Sequence, residues 1–249
     1  MQPKPQRTLE QALDLDYTKG KEDIWLTSQH TLRRLIGILG ILLPLLLFSI
    51  LYIDAGYKSP LYSVSHYYFT RASSVFSIVV SLLAVFLLIY KGKAPVDFYV
   101  SSVAGLFALC VILFPTNNIS GICQDKEHLY SVTILKDSRM RSVFHYISAA
   151  IFLSCLAYLA IFLFTKSDSS PATRGKPKRR RNRVFRTCGV IMVLAILVVL
   201  SNPLGLISDE AFSKYHIVFW MEIIAVESFG IAWLVKGQLI LKDSESPKT

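Results

Sequence analysis

Six long apolar runs fill most of this chain of 249 residues. They are Leu35–Ile53, Ala72–Tyr90, Phe98–Phe114, Ser142–Thr165, Thr187–Ser208 and Tyr215–Val235. Each is close to the ~17–25 residues a helix needs to cross a bilayer. None contains Lys or Arg, and only the last contains acids. Backbone in lipid must satisfy its own hydrogen bonds, so runs of this kind span as helices. The expectation is an all-α integral membrane bundle of six transmembrane helices. Residues 1–34 form an N-terminal arm, 35–237 the membrane domain and 238–249 a tail.

Composition agrees. At 53% hydrophobic residues and a mean hydropathy of +0.46, the chain is too apolar for an ordinary soluble domain. No connector is long enough to fold separately, so any site must be built from the helices and their ends. The first apolar run starts too deep for a secretory leader and is long enough to remain as a span.

A net charge of +10 invites a nucleic-acid reading, but its distribution argues against one. With the N-terminus placed in the cytoplasm, 20 of the 27 Lys and Arg residues fall on the inner side and seven on the outer. This is the positive-inside bias. An even number of spans then puts both termini in the cytoplasm, most simply in a bacterial inner membrane. The most basic stretch, Lys166–Arg186, joins the fourth and fifth runs. Its Arg179, Arg180, Arg181 and Arg183 are expected to meet anionic lipid headgroups, each worth about 1 kcal/mol near such a surface, and no nucleic acid.

Several features punctuate the spans. Pro44 predicts a kink in the first. Ser101, Gly105 and Ala108 in the third, and Ser148, Ala149, Ser154, Ala157 and Ala160 in the fourth, are small residues that let helices approach closely. Asn202-Pro203 interrupts or ends the fifth. Tyr57, Tyr62, Tyr67, Tyr68 and Phe69 in the segment Tyr57–Arg71 read as an interfacial aromatic belt, or as the lining of a site mouth. Asn118-Ile119-Ser120 is a formal glycosylation sequon. Cys110, Cys155 and Cys188 lie in or beside spans, Cys123 stands alone in a connector, and no C-x-x-C spacing occurs.

The chemistry concentrates in few residues. Ionisable groups inside a membrane are costly, so Glu222 and Glu227 in the last span are candidates for a polar lining. Five residues apart, they sit about 140° from one another around a helix and do not share a face. His66 and His145, with Arg71, are expected at the mouth of such a cavity. His216 opens the last span. Three histidines and a water form one known zinc set, which makes His66, His145 and His216 a candidate metal site. The first reading is a bundle, without a cofactor, that binds or passes a lipid or small amphiphilic solute through an outward-facing polar cavity. The alternative is a zinc-dependent hydrolase of lipid-like substrates.

The segments SVSHYYFTRASSVF at 63–76, FPT at 114–116, HYISAAIFLSCLAYLAIFLF at 145–164, RNRVFRTCGVIM at 181–192 and FWMEIIAVESFGIAWLVKG at 219–237 follow one another in this order. Together they resemble the bacterial multi-pass membrane proteins of the DUF998 and Frag1/DRAM-like families, over about residues 35–237. The resemblance implies a multi-pass inner-membrane protein and says little about activity. A more distant similarity is to the seven-span hydrolases related to alkaline ceramidases and progestin receptors, which hold zinc with a serine, an aspartate and three histidines. This chain departs from them in having six expected spans and no paired histidines in a final helix.

Overall fold

The computed structural model describes residues 29–92, 94–119, 131–166 and 176–241. The apolar runs are helical throughout. In chain order the elements are α1 (Gln29–Ala55), a 3-10 helix (Val64–Phe69), α2 (Ser73–Ile89), α3 (Pro95–Leu113), α4 (Arg139–Tyr158) continuing as a π turn (Leu159–Leu163), α5 (Lys176–Leu200), the short α6 (Asp209–Lys214) and α7 (Ile217–Lys236). Among the described residues there is no β-strand, only an isolated bridge between Thr70 and Ser131. Five of the helices are long and apolar enough to cross a membrane: α1, α3, α4 with its π turn, α5 and α7. Leu45, Leu106 and Leu197 are more than half exposed, which suits a surface bathed in lipid rather than water. The chain is a multi-pass helical membrane protein.

Successive long helices pack on one another, α1 on α2, α2 on α3, α3 on α4 and α4 on α5, but α1 and α5 pack most extensively on α7. The circuit closes because α7 lies against both α5 and α1. Small residues set the closest approaches. Gly105 on α3 faces the backbone of Ala84 on α2, and Gly189 on α5 faces Ala157 on α4. Ser101 and Ala108 are fully buried with Gly105, as their spacing predicts. At the Lys236 end of the bundle, Arg34 donates its Nε–H to Gly237 O at 3.0 Å, tying the first turns of α1 to the last of α7. There the buried Trp233 ring meets Tyr90 edge-on at 4.9 Å and Phe164 at 5.0 Å.

Several boundaries differ from the sequence expectation. α1 starts at Gln29, so Arg33 and Arg34 belong to the helix, and it runs unbroken through Pro44. α2 has 17 residues, or about 25 Å at 1.5 Å per residue, the shortest of the apolar helices. The fifth helix is displaced most. Instead of Thr187–Ser208 it covers Lys176–Leu200. The basic residues are good helix formers, and Pro203 cannot continue a helix and restrains Asn202 before it. Arg181 therefore falls on the buried stripe with Phe185, Cys188, Met192 and Ala195, at i, i+4, i+7, i+11 and i+14, and is 9% exposed. Of the four arginines expected at lipid headgroups, Arg179, Arg180 and Arg183 are exposed and Arg181 is not.

The aromatic segment is not a belt either. Tyr67 and Phe69 are fully buried. The 3-10 turn pushes them into the end of the bundle, where Tyr67 stacks on Phe219 of α7 at 6.2 Å. Thr70 secures the exit by donating to Tyr67 O and accepting from Ala72 N. Asn118 of the sequon is 7% exposed. Its amide donates to Leu135 O at 2.6 Å and Asp137 Oδ1 at 2.9 Å and accepts from Leu135 N at 2.9 Å. That side chain holds residues 135–137 in place. Cys123 lies outside the described residues, as does most of the N-terminal arm.

Candidate functional site

A cavity of about 340 Å³ opens between α4, α5 and α7 at the end of the bundle that carries the 3-10 helix. Helical periodicity builds its wall. α7 contributes Val218, Met221, Glu222 and Ala225 at i, i+3, i+4 and i+7. α4 contributes His145, Ala149 and Leu153 at i, i+4 and i+8. α5 adds Ala195, Ile196, Val199 and Leu200. One end is polar, with Tyr62, Ser63, His66, His145, Asn202 and Glu222, and the rest is apolar.

Glu222 does something the sequence does not announce. Its Oε2 accepts the backbone N–H of Val64 at 2.6 Å. This is the first amide of the 3-10 helix, which has no partner within it. Ser63 stands at the capping position, but its side chain makes no cap hydrogen bond. Its Oγ lies 2.6 Å from His66 Nδ1 instead. An acid from α7 thus caps a helix more than 150 residues earlier in the chain. A negative charge is favoured at a helix N-terminus, so the bond fixes both Glu222 and the segment that roofs the cavity.

His66 is 4% exposed. Burial, reinforced by the neighbouring His145, pushes its pKa down to about 3. It presents a neutral ring at physiological pH. His145 is 2% exposed, and its Nδ1 faces two carbonyls, Phe114 O at 2.9 Å and Val111 O at 3.2 Å. Carbonyls only accept, so Nδ1 carries the proton and the neutral ring keeps its lone pair at Nε2. Burial raises the Tyr62 phenol, and Tyr146, Asp209 and Glu222 raise it further. Tyr62 therefore stays protonated.

Of the residues expected at a site, the cavity gathers His66, His145 and Glu222. Glu227 is one and a half turns further along α7 and outside the lining, as its 140° offset requires. Arg71 is a correction: it is exposed and paired with Asp54 at 3.0 Å, away from the cavity. The three-histidine metal set is a second. Among the described residues no three His, Cys, Asp or Glu side chains are grouped to hold a metal ion. His216 does not line the cavity with His66 and His145. It turns the chain into α7 in a left-handed conformation, φ 48°, with Nδ1 buried and without a hydrogen-bond partner. Sequence reasoning passed over Asn202 and Met221 as members of the site, while Tyr62 belongs to the segment whose second reading was the lining of a site mouth. The i, i+3, i+4, i+7 spacing around Glu222 was the available signal for Met221. Comparison with family models, with curated proteins and with solved structures finds no match for this chain.

Proposed function

We propose that this protein binds or passes a lipid-like amphiphile through the cavity between α4, α5 and α7. The observation that carries the reading is the division of that one cavity into a polar end at His66, His145 and Glu222 and an apolar remainder lined by helices of the membrane domain. A head and a tail of different polarity match it. Ligand cavities of this kind are mostly apolar with a few placed polar groups. A monoglyceride with a photoactivatable diazirine in its acyl chain should label the peptides bearing Ala149, Leu153 and Val199 saturably. Ala149→Trp fills the space and should abolish that saturable labelling, with Leu82→Trp on the lipid-facing side of α2 as the control. Labelling that never saturates and is the same in wild type and Ala149→Trp would overturn the proposal.

The same reading takes α2 as a sixth span, at the short end of what a bilayer accepts, with both termini in the cytoplasm of a bacterial inner membrane. The 20-to-seven division of basic residues supports this orientation. Arg179, Arg180 and Arg183 on the exposed side of α5 then face anionic headgroups of the inner leaflet. In cells expressing single-cysteine variants, an impermeant thiol reagent should label Lys58→Cys and leave Arg179→Cys untouched. The opposite pattern inverts the topology.

A further inference from the structure

The polar end of the cavity is rich in acceptors: the N–H groups of His145 and Asn202 are used inside the fold, and the Ser63–His66 pair, which shares one hydrogen bond, keeps a single donor. His145 spends its N–H on Val111 O and Phe114 O, leaving the Nε2 lone pair. Asn202 spends its amide N–H groups on Asp209 Oδ1 at 2.6 Å and Ile207 O at 3.3 Å, leaving its Oδ1. Both partners of Asn202 are acceptors, so the orientation of its amide follows from them. Glu222 accepts the backbone N–H of Val64, and a carboxylate has about four acceptor sites, so capacity remains. Tyr62 and Tyr146 have hydroxyls that serve either way.

Charge points in the same direction. Among the described residues, no Lys or Arg lines the cavity. Arg71, the nearest arginine in sequence to His66, is held by Asp54 at 3.0 Å. Asp209 and Glu222 both act electrostatically on Tyr62 at this end. An anionic head placed here would meet a carboxylate and unpaired lone pairs with no cation to offset them. Leaving buried acceptors opposite an acceptor costs the full desolvation of both, and like charges across an interface suppress the wrong partner.

We infer that the cavity selects a single-chain amphiphile whose head donates hydrogen bonds and carries no negative charge, an amine or a hydroxyl head, and discriminates against phosphate and sulfonate heads. This rests on the amphiphile reading above and specifies which amphiphile. The tail has its place on the apolar wall. Ile196 borders both this cavity and a second apolar hollow of about 320 Å³ flanked by Ala157, Ile161 and Val193 on the α4–α5 seam.

The test is competition at pH 7.5 against saturable photolabelling by the diazirine monoglyceride, with four competitors that share one hexadecyl tail. Hexadecylamine and hexadecylglycerol should compete at concentrations at least about tenfold lower than hexadecyl phosphate and hexadecyl sulfonate, a difference of ~1.4 kcal/mol. The two acids remain charged at this pH, so protonation cannot rescue them. Glu222→Gln keeps an acceptor for Val64 N–H and should narrow the advantage of the amine over the sulfonate, while the glycerol head keeps its rank. Equal or tighter competition by the phosphate or sulfonate overturns the head-group inference and leaves the amphiphile reading intact. Failure of all four to displace the probe removes the amphiphile reading itself.

Discussion

Glu222→Leu should lower the melting temperature of the purified protein more than any other single change in the cavity wall. The carboxylate accepts the N–H of Val64 at 2.6 Å, and Val64 is buried. Leucine fills similar space but offers no acceptor. A buried donor left unpaired costs about 1–3 kcal/mol, and that is the expected loss. Ser63 cannot take over, because its hydroxyl is engaged with His66 at 2.6 Å. Glu222→Gln retains a carbonyl oxygen and should cost about half as much. The same series separates a capping role from one in binding. Glutamine that melts near wild type but loses preference among ligand heads assigns the charge to recognition. Leucine that melts like wild type would sink the cap altogether.

The cap also explains how the site was legible and where legibility stopped. The period and purity of the apolar runs were enough to place the long helices, since lipid leaves the backbone no other way to pair. Glu222 stood out for the same reason, as an acid where acids are expensive. Its partner did not stand out. A backbone amide like that of Val64 belongs to every residue type, and nothing in SVSH specifies that an acid 158 residues later in the chain will reach Val64. Closeness to a helix end also failed as a guide to clustering. His66, His145 and His216 all lie near one end of the bundle, yet lateral position around the circuit decides contact, and His216, in a left-handed turn, is not among the lining residues. Arg71 failed through competition, because Asp54 at the end of α1 offers it an ion pair in the open. Arg181 failed through register. Counting charge in Lys166–Arg186 ignored that helix α5 begins at Lys176 and carries its buried stripe back to residue 181.

Gly230→Val should separate α7 from α1 and destabilise the bundle by about 3 kcal/mol or more, the upper part of the range for overpacked cores. A Cβ at Gly230 would lie 2.6 Å from Ile41 Cγ1 and 2.9 Å from Gly37 O. One at Gly37 would lie 2.6 Å from Leu234 Cδ2 and 2.8 Å from Leu234 N. Side chains can turn aside, but the backbone atoms cannot, so the helices must part. This contact matters more than its size suggests, because α7 closes the helical circuit against α1 and also carries Glu222. Loss of the crossing therefore reaches the roof of the cavity. Thermal melting in detergent should show Gly37→Ala and Gly230→Ala each costing about 1–3 kcal/mol, against little change for Leu45→Ala at a lipid-facing position that is 57% exposed. The double alanine variant should cost less than the two single changes added together, because one displacement of α7 relieves both clashes. Strict additivity would mean that the two glycines act at separate contacts and that close approach of α1 and α7 is not what they provide.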